Sequence, residues 1–412
     1  MGFSKGQTLA ANIGTWVGGL LSVVGSGMII FIVLRQTKFR QDSYHRLLLG
    51  LSVADLFFTL GWMSGAFTVP AERTDDASAY GTTQSCIVAG FFVQLGTTSS
   101  AYNGMLSIYF LLVIVYGVPP LRLKMFECCM HVAVWFYAVT TAVAALPLKA
   151  YNSVGVMEVC WLGDFPRNCL DDPNVECLRG KYSKKLIYLY AMVPLIAFLT
   201  VVSCNVLIYA TVRRIQVTRH SARSIVSGVD AVTEDQKRRT RAVAVQSFLY
   251  VFAHFNSIMW CFAVINLEAT DMLTQDNQSS FFVLLFLCQV FTPAQGILNL
   301  MIYLRPRYLR IRAREPNLSK GSAFFRSMGS PGSKRRLPTL RYPVPGDADE
   351  ESKENDGEQD DDSTEEHHCS EPPPPPPSTA DGSSLSMKVS SAARDRRRSS
   401  ISQSVASVLL EV

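Results

Sequence analysis

"LLLGLSVADLFFTLGWMSGAFTV", residues 47–69, is an apolar run with a single charged side chain, Asp55. As a helix, about 20 apolar residues cross the ~30 Å hydrocarbon layer of a membrane. Six further runs of this kind contain no Asp, Glu, Lys or Arg: 13–34, 86–116, 128–148, 186–212, 242–265 and 281–304. The chain is therefore predicted to be an all-α membrane protein with a seven-transmembrane helix bundle.

The distribution of lysine and arginine predicts the orientation of this bundle. The cations follow the first, third, fifth and seventh runs, for example Arg46, Lys124, Arg213 and Arg305. Because cytoplasmic loops accumulate Lys and Arg, these segments are predicted to be cytoplasmic. We therefore expect residues 1–12 to be extracellular, the long C-terminal tail to be cytoplasmic, and the protein to reside in the plasma membrane.

Four of the ten cysteines fall in segments predicted to be extracellular: Cys86, Cys160, Cys169 and Cys177. Disulfides persist in that oxidising environment. Four cysteines allow three pairings, and the sequence by itself does not choose among them. The same side carries the glycosylation sequon that begins at Asn277.

Asp55 is the most informative single residue. A carboxylate at the bilayer centre costs about 2.5–3.5 kcal/mol on insertion scales, so such residues usually face the bundle interior or a water-filled cavity. Two interpretations remain open, a structural hydrogen-bond anchor and an ion or proton site. In the seventh run, Pro293 and Gly296 weaken the helix, and Asn299 and Tyr303 supply polar groups that we expect to exchange partners with Asp55.

Several motifs resemble those of G-protein-coupled receptors. "SVADL" at 52–56 is similar to the second-helix motif of the rhodopsin-like family, and "NLMIY" at 299–303 to its seventh-helix N-P-x-x-Y, with leucine in place of proline. "QGILN" at 295–299 resembles cyclic-AMP-receptor-like receptors instead. The family's Asp/Glu-Arg-Tyr motif is absent, because Phe110, Leu111 and Leu112 occupy its place.

The resemblance implies a function and several sites. It implies an extracellular ligand, a heterotrimeric G protein, a disulfide between Cys86 and Cys160, and a sodium ion at Asp55. Helix rearrangement would admit the G protein between two groups of cations at the ends of the fifth and sixth runs. These predicted coupling residues are Arg213, Arg214, Lys237, Arg238, Arg239 and Arg241.

Other functional classes fit less well. A transporter or channel is the alternative, although the spans contain one carboxylate and no visible repeat. A retinal protein needs a lysine in the last run, and 281–304 contains none. We predict no enzyme activity, since the spans lack a nucleophile paired with a base. The sequence also gives no indication of a cofactor, a His/Cys metal site or nucleic-acid binding.

The C-terminal part is polar. Residues 305–314 are predicted to form a juxtamembrane amphipathic segment whose arginines meet anionic lipids. Residues 315–412 are predicted to be a disordered cytoplasmic tail. Its last stretch places arginines before Ser399, Ser400 and Ser402, which suggests phosphorylation of these serines by a kinase and then binding of an arrestin-like partner. The terminal "LEV" suggests a PDZ partner.

Overall fold

The computed structural model describes residues 4–71, 79–118, 120–154, 159–166, 169–170, 174–222, 230–270, 272–274 and 277–329. Helices occupy most of this part of the chain. Their bounds are α1 Lys5–Arg35, α2 Thr37–Gln41, α3 Ser43–Thr68, α4 Thr83–Gly96, α5 Thr98–Ile114, α6 Pro120–Ala144, α7 Ser183–Ala222, α8 Asp230–Ala269, α9 Phe282–Phe291, α10 Gln295–Arg314 and α11 Lys320–Met328. Two strands, β1 Tyr151–Val154 and β2 Val159–Leu162, lie between α6 and α7.

The helices α1, α3, α6, α7 and α8 are each long and apolar enough to cross a membrane alone. The seventh apolar run consists of α9 and α10, which meet at a bend of 56°. The third run is also broken, because α4 ends at Gly96 and α5 begins at Thr98. The Thr97 and Thr98 hydroxyls donate to the carbonyls of Gln94 and Leu95, in competition with the backbone ladder.

The structure corrects the predicted bounds of the terminal segments. The first helix starts at Lys5, inside the segment 1–12, because Ser4 and Gln7 form a capping box there. Residues 305–314 are not a separate segment, since α10 continues through Pro306 to Arg314. A proline interrupts few backbone bonds, and the Arg-rich stretch after it favours helix.

The prediction of a disordered tail from 315 onward is wrong at its start. Helix α11 forms over Lys320–Met328, and Ala323 and Ser327 on one of its faces are buried. A nine-residue helix with one apolar face is too short to stand out in a polar sequence, and packing against the bundle stabilises it. Residues 330–412, including Ser399, Ser400 and Ser402, lie outside the described residues.

One end of the bundle is closed by disulfide-linked loops, and we call it the disulfide end. The strands β1 and β2 pair antiparallel, and a bond from Cys160 on β2 to Cys86 on α4 attaches the hairpin to the bundle. A second bond joins Cys169 and Cys177. Burial raises the pKa of Tyr151, so its hydroxyl stays protonated and donates to the carbonyl of Ala142 at 2.9 Å.

The opposite end carries the cations and is called the basic end, after Arg46, Arg213, Arg241 and Arg307. Between the two ends, large apolar side chains cover the outside of the bundle, such as Phe136, Tyr188 and Val283, which are 71%, 75% and 69% exposed. Helices that are apolar on both their inner and outer faces suit a lipid environment. The chain is a multi-pass membrane protein.

Candidate functional site

Asp55 lies in the interior, near the middle of α3, and is 3% exposed. Its Oδ2 accepts a hydrogen bond of 2.9 Å from Nδ2 of Asn299 on α10, and the Ser99 side chain on α5 interacts with the same carboxylate. Asn299 thus contacts Asp55 as the sequence predicted. Its other side-chain atom, Oδ1, is buried without a hydrogen-bond partner among the described residues. The carboxylate therefore connects three helices of the bundle.

The break between α9 and α10 lies beside this carboxylate site. The hydroxyl of Thr59 on α3 donates to the carbonyl oxygen of Pro293 at 3.2 Å. The N–H of Gly296, in the first turn of α10, donates to Oγ of Ser22 on α1 at 2.9 Å. Backbone groups at a helix break have no partner within the helix and need one from neighbouring side chains. Thr59 and Ser22 provide these partners, so the sequence accommodates a break here.

Helix α10 also makes a close contact with α1 at two glycines. A Cβ atom added to Gly25 would lie 2.5 Å from the carbonyl oxygen of Gly296, and one added to Gly296 would lie 2.2 Å from Oγ of Ser26. The Ser26 hydroxyl can rotate away, but a Cβ atom at Gly296 would also lie 2.6 Å from the carbonyl oxygen of Ser22. At both glycines a backbone must therefore move to admit a side chain. The prediction that Gly296 weakens the helix missed this second role, because the sequence does not indicate which helix lies opposite a glycine.

Tyr303 was predicted to act together with Asp55 and Asn299, but the structure places it elsewhere. Its ring packs edge-on against His45 at 5.8 Å, and the guanidinium of Arg307 lies 5.5 Å from the ring centroid. Its hydroxyl is buried without a hydrogen-bond partner among the described residues. In this conformation Tyr303 therefore belongs to the aromatic packing of the basic end.

A partly buried ion pair at the basic end is not among the sites that the sequence predicts. Arg46 on α3 donates from Nε and Nη2 to the two carboxylate oxygens of Glu127 on α6, both at 2.6 Å. His131 lies 3.6 Å from the same carboxylate and accepts or donates a hydrogen bond of 2.9 Å with Tyr102. Glu127 is one residue outside the apolar run that begins at 128, so it is not among the charges within the runs.

The remaining predicted site residues are dispersed. Arg213, Arg214 and Arg241 are exposed, at the basic ends of α7 and α8. The side chains of Lys237, Arg238 and Arg239 lie outside the described residues. Asn277 is half-buried and its side-chain amide is engaged, because Nδ2 donates to the carbonyl of Met272 and Oδ1 accepts from the N–H of Thr274, both at 2.8 Å. Glycosylation at Asn277 stays a prediction.

One group of possible metal ligands occurs among the described residues, Asp164 with Cys169 and Cys177. The two cysteines form a disulfide, so neither offers the thiolate that binds a metal. The disulfide accounts for the close approach of the two sulfur atoms in this group.

Comparison with known proteins agrees with this arrangement. The family described as "7 transmembrane receptor (rhodopsin family)" matches residues 25–303. Among solved structures, the crystal structure of squid rhodopsin matches with a TM-score of 0.53 and 18% sequence identity, covering 82% of this chain and 94% of that chain. No protein with a curated description matches this sequence. At this identity the structural likeness concerns the fold, and it confirms the predicted seven-helix bundle.

Proposed function

The chain belongs to the rhodopsin family of seven-transmembrane receptors, and from this premise we propose that it transmits the binding of an extracellular ligand to a cytoplasmic G protein. The family match runs from residue 25, within α1, to Tyr303 on α10, and so includes Asp55 and Asn299, two of the candidate switch residues. Fold alone does not determine function. The proposal therefore depends on what these residues can do.

The proposed orientation places the disulfide end outside the cell and the basic end in the cytoplasm. The bonds Cys86–Cys160 and Cys169–Cys177 favour an oxidising compartment for the first end. The exposed cations Arg213 and Arg214 favour the cytoplasm for the second. With this orientation the N-terminus is extracellular and the tail follows α11 on the cytoplasmic side.

The observation that carries the proposal is the hydrogen bond between Asp55 and Asn299, next to the break between α9 and α10. A hydrogen bond to a charged group contributes about 1.5–3 kcal/mol, enough to bias two conformations of a bundle by roughly tenfold or more. The break gives α10 a place at which to change direction, since Thr59 and Ser22 hold its free backbone groups by side-chain bonds alone. A ligand would shift the bundle by binding one arrangement more tightly than the other.

The same residues fit a sodium ion. Asp55 provides a carboxylate, and Asn299 provides an amide oxygen that is buried without a partner among the described residues. Hard cations prefer oxygen ligands of this kind. When bound, sodium would supply a positive charge that offsets the buried negative charge of Asp55.

The proposed coupling surface lies at the basic ends of α7 and α8. Arg213 and Arg214 are exposed on α7, and Arg241 is exposed on α8. Cations at a cytoplasmic end can meet acidic side chains of a partner, and such charge complementarity favours association. We propose that the G protein binds between these two helix ends after the end of α8 moves outward.

The experiment is a double-mutant cycle with Asp55→Asn and Asn299→Ala. Receptors are purified, reconstituted in lipid nanodiscs at matched amounts, and assayed for nucleotide exchange on a panel of purified G proteins without added ligand. Asp55→Asn removes the charge of the acceptor and Asn299→Ala removes the donor of the same bond, so the double variant should differ from the sum of the single changes by at least about 0.5 kcal/mol. Asn266→Ala, which removes an exposed amide at the other end of α8, is the matched control and should leave exchange unchanged.

Two results would contradict the proposal. Additive effects of the two substitutions would show that Asp55 and Asn299 do not act together. No nucleotide exchange above the empty-nanodisc background with any G protein, together with ion flux in reconstituted vesicles, would favour a transporter or channel instead.

A further inference from the structure

Three buried polar side chains connect α3 to α8 at the basic end. The hydroxyl oxygens of Tyr44 and Tyr250 lie 2.9 Å apart, and Nε2 of Gln246 donates to the Tyr44 oxygen at 2.9 Å. Tyr44, Gln246 and Tyr250 are 1%, 2% and 3% exposed. Tyr44 is the second residue of α3, and the other two lie one helical turn apart on α8.

The donors and acceptors of these three residues form a consistent chain. Because the Gln246 amide donates to the Tyr44 oxygen, the hydrogen of Tyr44 is available to Tyr250. All three groups are neutral, so the contact does not require the burial of a charge, which is costly. Buried polar groups of this kind lose their bonds if the two helices separate, and an unmade bond in an apolar environment is unfavourable.

The ring of Phe110 packs against both tyrosines of the hydrogen-bonded chain. The Phe110 ring lies 5.8 Å from the Tyr44 ring and 6.4 Å from the Tyr250 ring, measured between centroids. Phe110 stands where the receptor family carries an acidic residue next to its arginine, so this chain has no ion pair there. The tyrosines therefore provide a polar contact between α3 and α8 at this level of the bundle, where Ser247 on α8 also donates to Asn205 on α7.

We infer that Tyr44, Gln246 and Tyr250 form a neutral lock that holds the basic end of α8 against α3 and must open for that end to move outward. We call it the tyrosine lock. It is a regulatory contact between helices, and its effect on signalling, though not its effect on helix position, rests on the proposed receptor function.

Replacing Tyr44 and replacing Tyr250 should change the position of α8 to different extents. Tyr250→Phe removes the bond between the two hydroxyls, whereas Tyr44→Phe also removes the acceptor for Gln246. Loss of one buried hydrogen bond should raise the equilibrium constant for outward movement of α8 about fivefold. Tyr44→Phe should raise it further, and the double variant should equal Tyr44→Phe alone.

The measurement is a distance between spin labels in the full-length protein in nanodiscs, without G protein. The labels are attached through Lys124→Cys, at the start of α6, and Ala242→Cys on α8, both of which are exposed positions near the basic end. Cys128, Cys129 and Cys369 are replaced by serine in every variant so that they are not labelled. The ratio of the long to the short distance population gives the equilibrium constant.

Tyr137→Phe is the matched control. It also removes one tyrosine hydroxyl from a hydrogen bond, to the carbonyl of Tyr190, but this bond connects α6 to α7 and does not involve α8. Its distance distribution should equal that of the parent protein. Thermal unfolding of each variant verifies that the Phe variants remain folded, which is expected because Phe keeps the ring packing.

The possible results separate the lock from the receptor function. Unchanged distributions in Tyr44→Phe and Tyr250→Phe, additive effects in the double variant, or an equal change in Tyr137→Phe would each overturn the lock. If the Phe variants show the predicted distances but no G protein is activated, the lock stands and the proposed function fails. If they also raise ligand-free nucleotide exchange, both are supported.

Discussion

The glycine contact between α1 and α10 makes a prediction that can be worked out from distances. In Gly25→Ala, the new methyl group would lie 2.5 Å from the carbonyl oxygen of Gly296 and 2.6 Å from Cα of Ile297. These are backbone atoms, so no side chain can rotate away and one helix must shift. Such overpacking typically lowers the free energy of unfolding by about 1–3 kcal/mol.

Gly27→Ala is an unusually close control for this change. Gly27 lies two residues further along α1, and a Cβ atom there would meet nothing within 4 Å. Replacing a glycine by alanine within a helix stabilises it by roughly 0.5–1 kcal/mol when there is space. The two variants carry the same substitution in the same helix and differ only in the space around the new methyl group. They should therefore change the free energy of unfolding in opposite directions.

The assay is thermal unfolding of the purified protein in nanodiscs, followed by the reactivity of buried thiols such as Cys204 and Cys288. Gly25→Ala should unfold several degrees below the parent protein, and Gly27→Ala at or above it. An equal stability of the two variants, or a lower one for Gly27→Ala, would refute the deduced packing of α1 against α10.

Three further predictions follow from the described contacts. Arg46→Met should lower the free energy of unfolding by about 2 kcal/mol, because the buried Glu127 carboxylate loses both hydrogen bonds from Arg46. Glu127→Met in the same chain should restore most of this loss. An equally large loss in the double variant would contradict the ion pair. Cys86→Ala and Cys160→Ala should reduce surface expression equally, with no further loss in the double variant, and additive losses would argue against a single bond. An epitope tag at residue 2 should be stained in unpermeabilised cells and a tag at residue 411 should not, and staining of the second would exclude the proposed orientation.

Local composition was sufficient to predict much of the fold. The number of apolar runs and the single carboxylate within them depend on segments of about 20 residues, each of which is read without reference to the others. Asp55 could be assigned to the interior because a charge is unfavourable in lipid at any position facing outward. The partner Asn299 followed from its place in a motif that resembles the receptor family.

Local composition was less informative about where helices break and end. The third run reads as one apolar stretch, yet α4 and α5 are separate helices. At the end of α4, Gly96 lies against the backbone of α3, where a Cβ atom would be 2.2 Å from the N atom of Phe58, and the sequence does not reveal this contact. The amphipathic helix α11 was missed because its stability comes from Ala323 and Ser327 packing on the bundle.

The sequence by itself determined how often this chain crosses the membrane and that Asp55 lies in the interior, because hydrophobicity and the cost of buried charge act on each segment separately. Only the tertiary structure decided which side chains meet. Asp55 and Asn299 are 244 residues apart, and Tyr44 and Tyr250 are 206 apart. Contacts over such separations depend on the rotation and depth of each helix in the bundle, which are set by the packing of all its neighbours together.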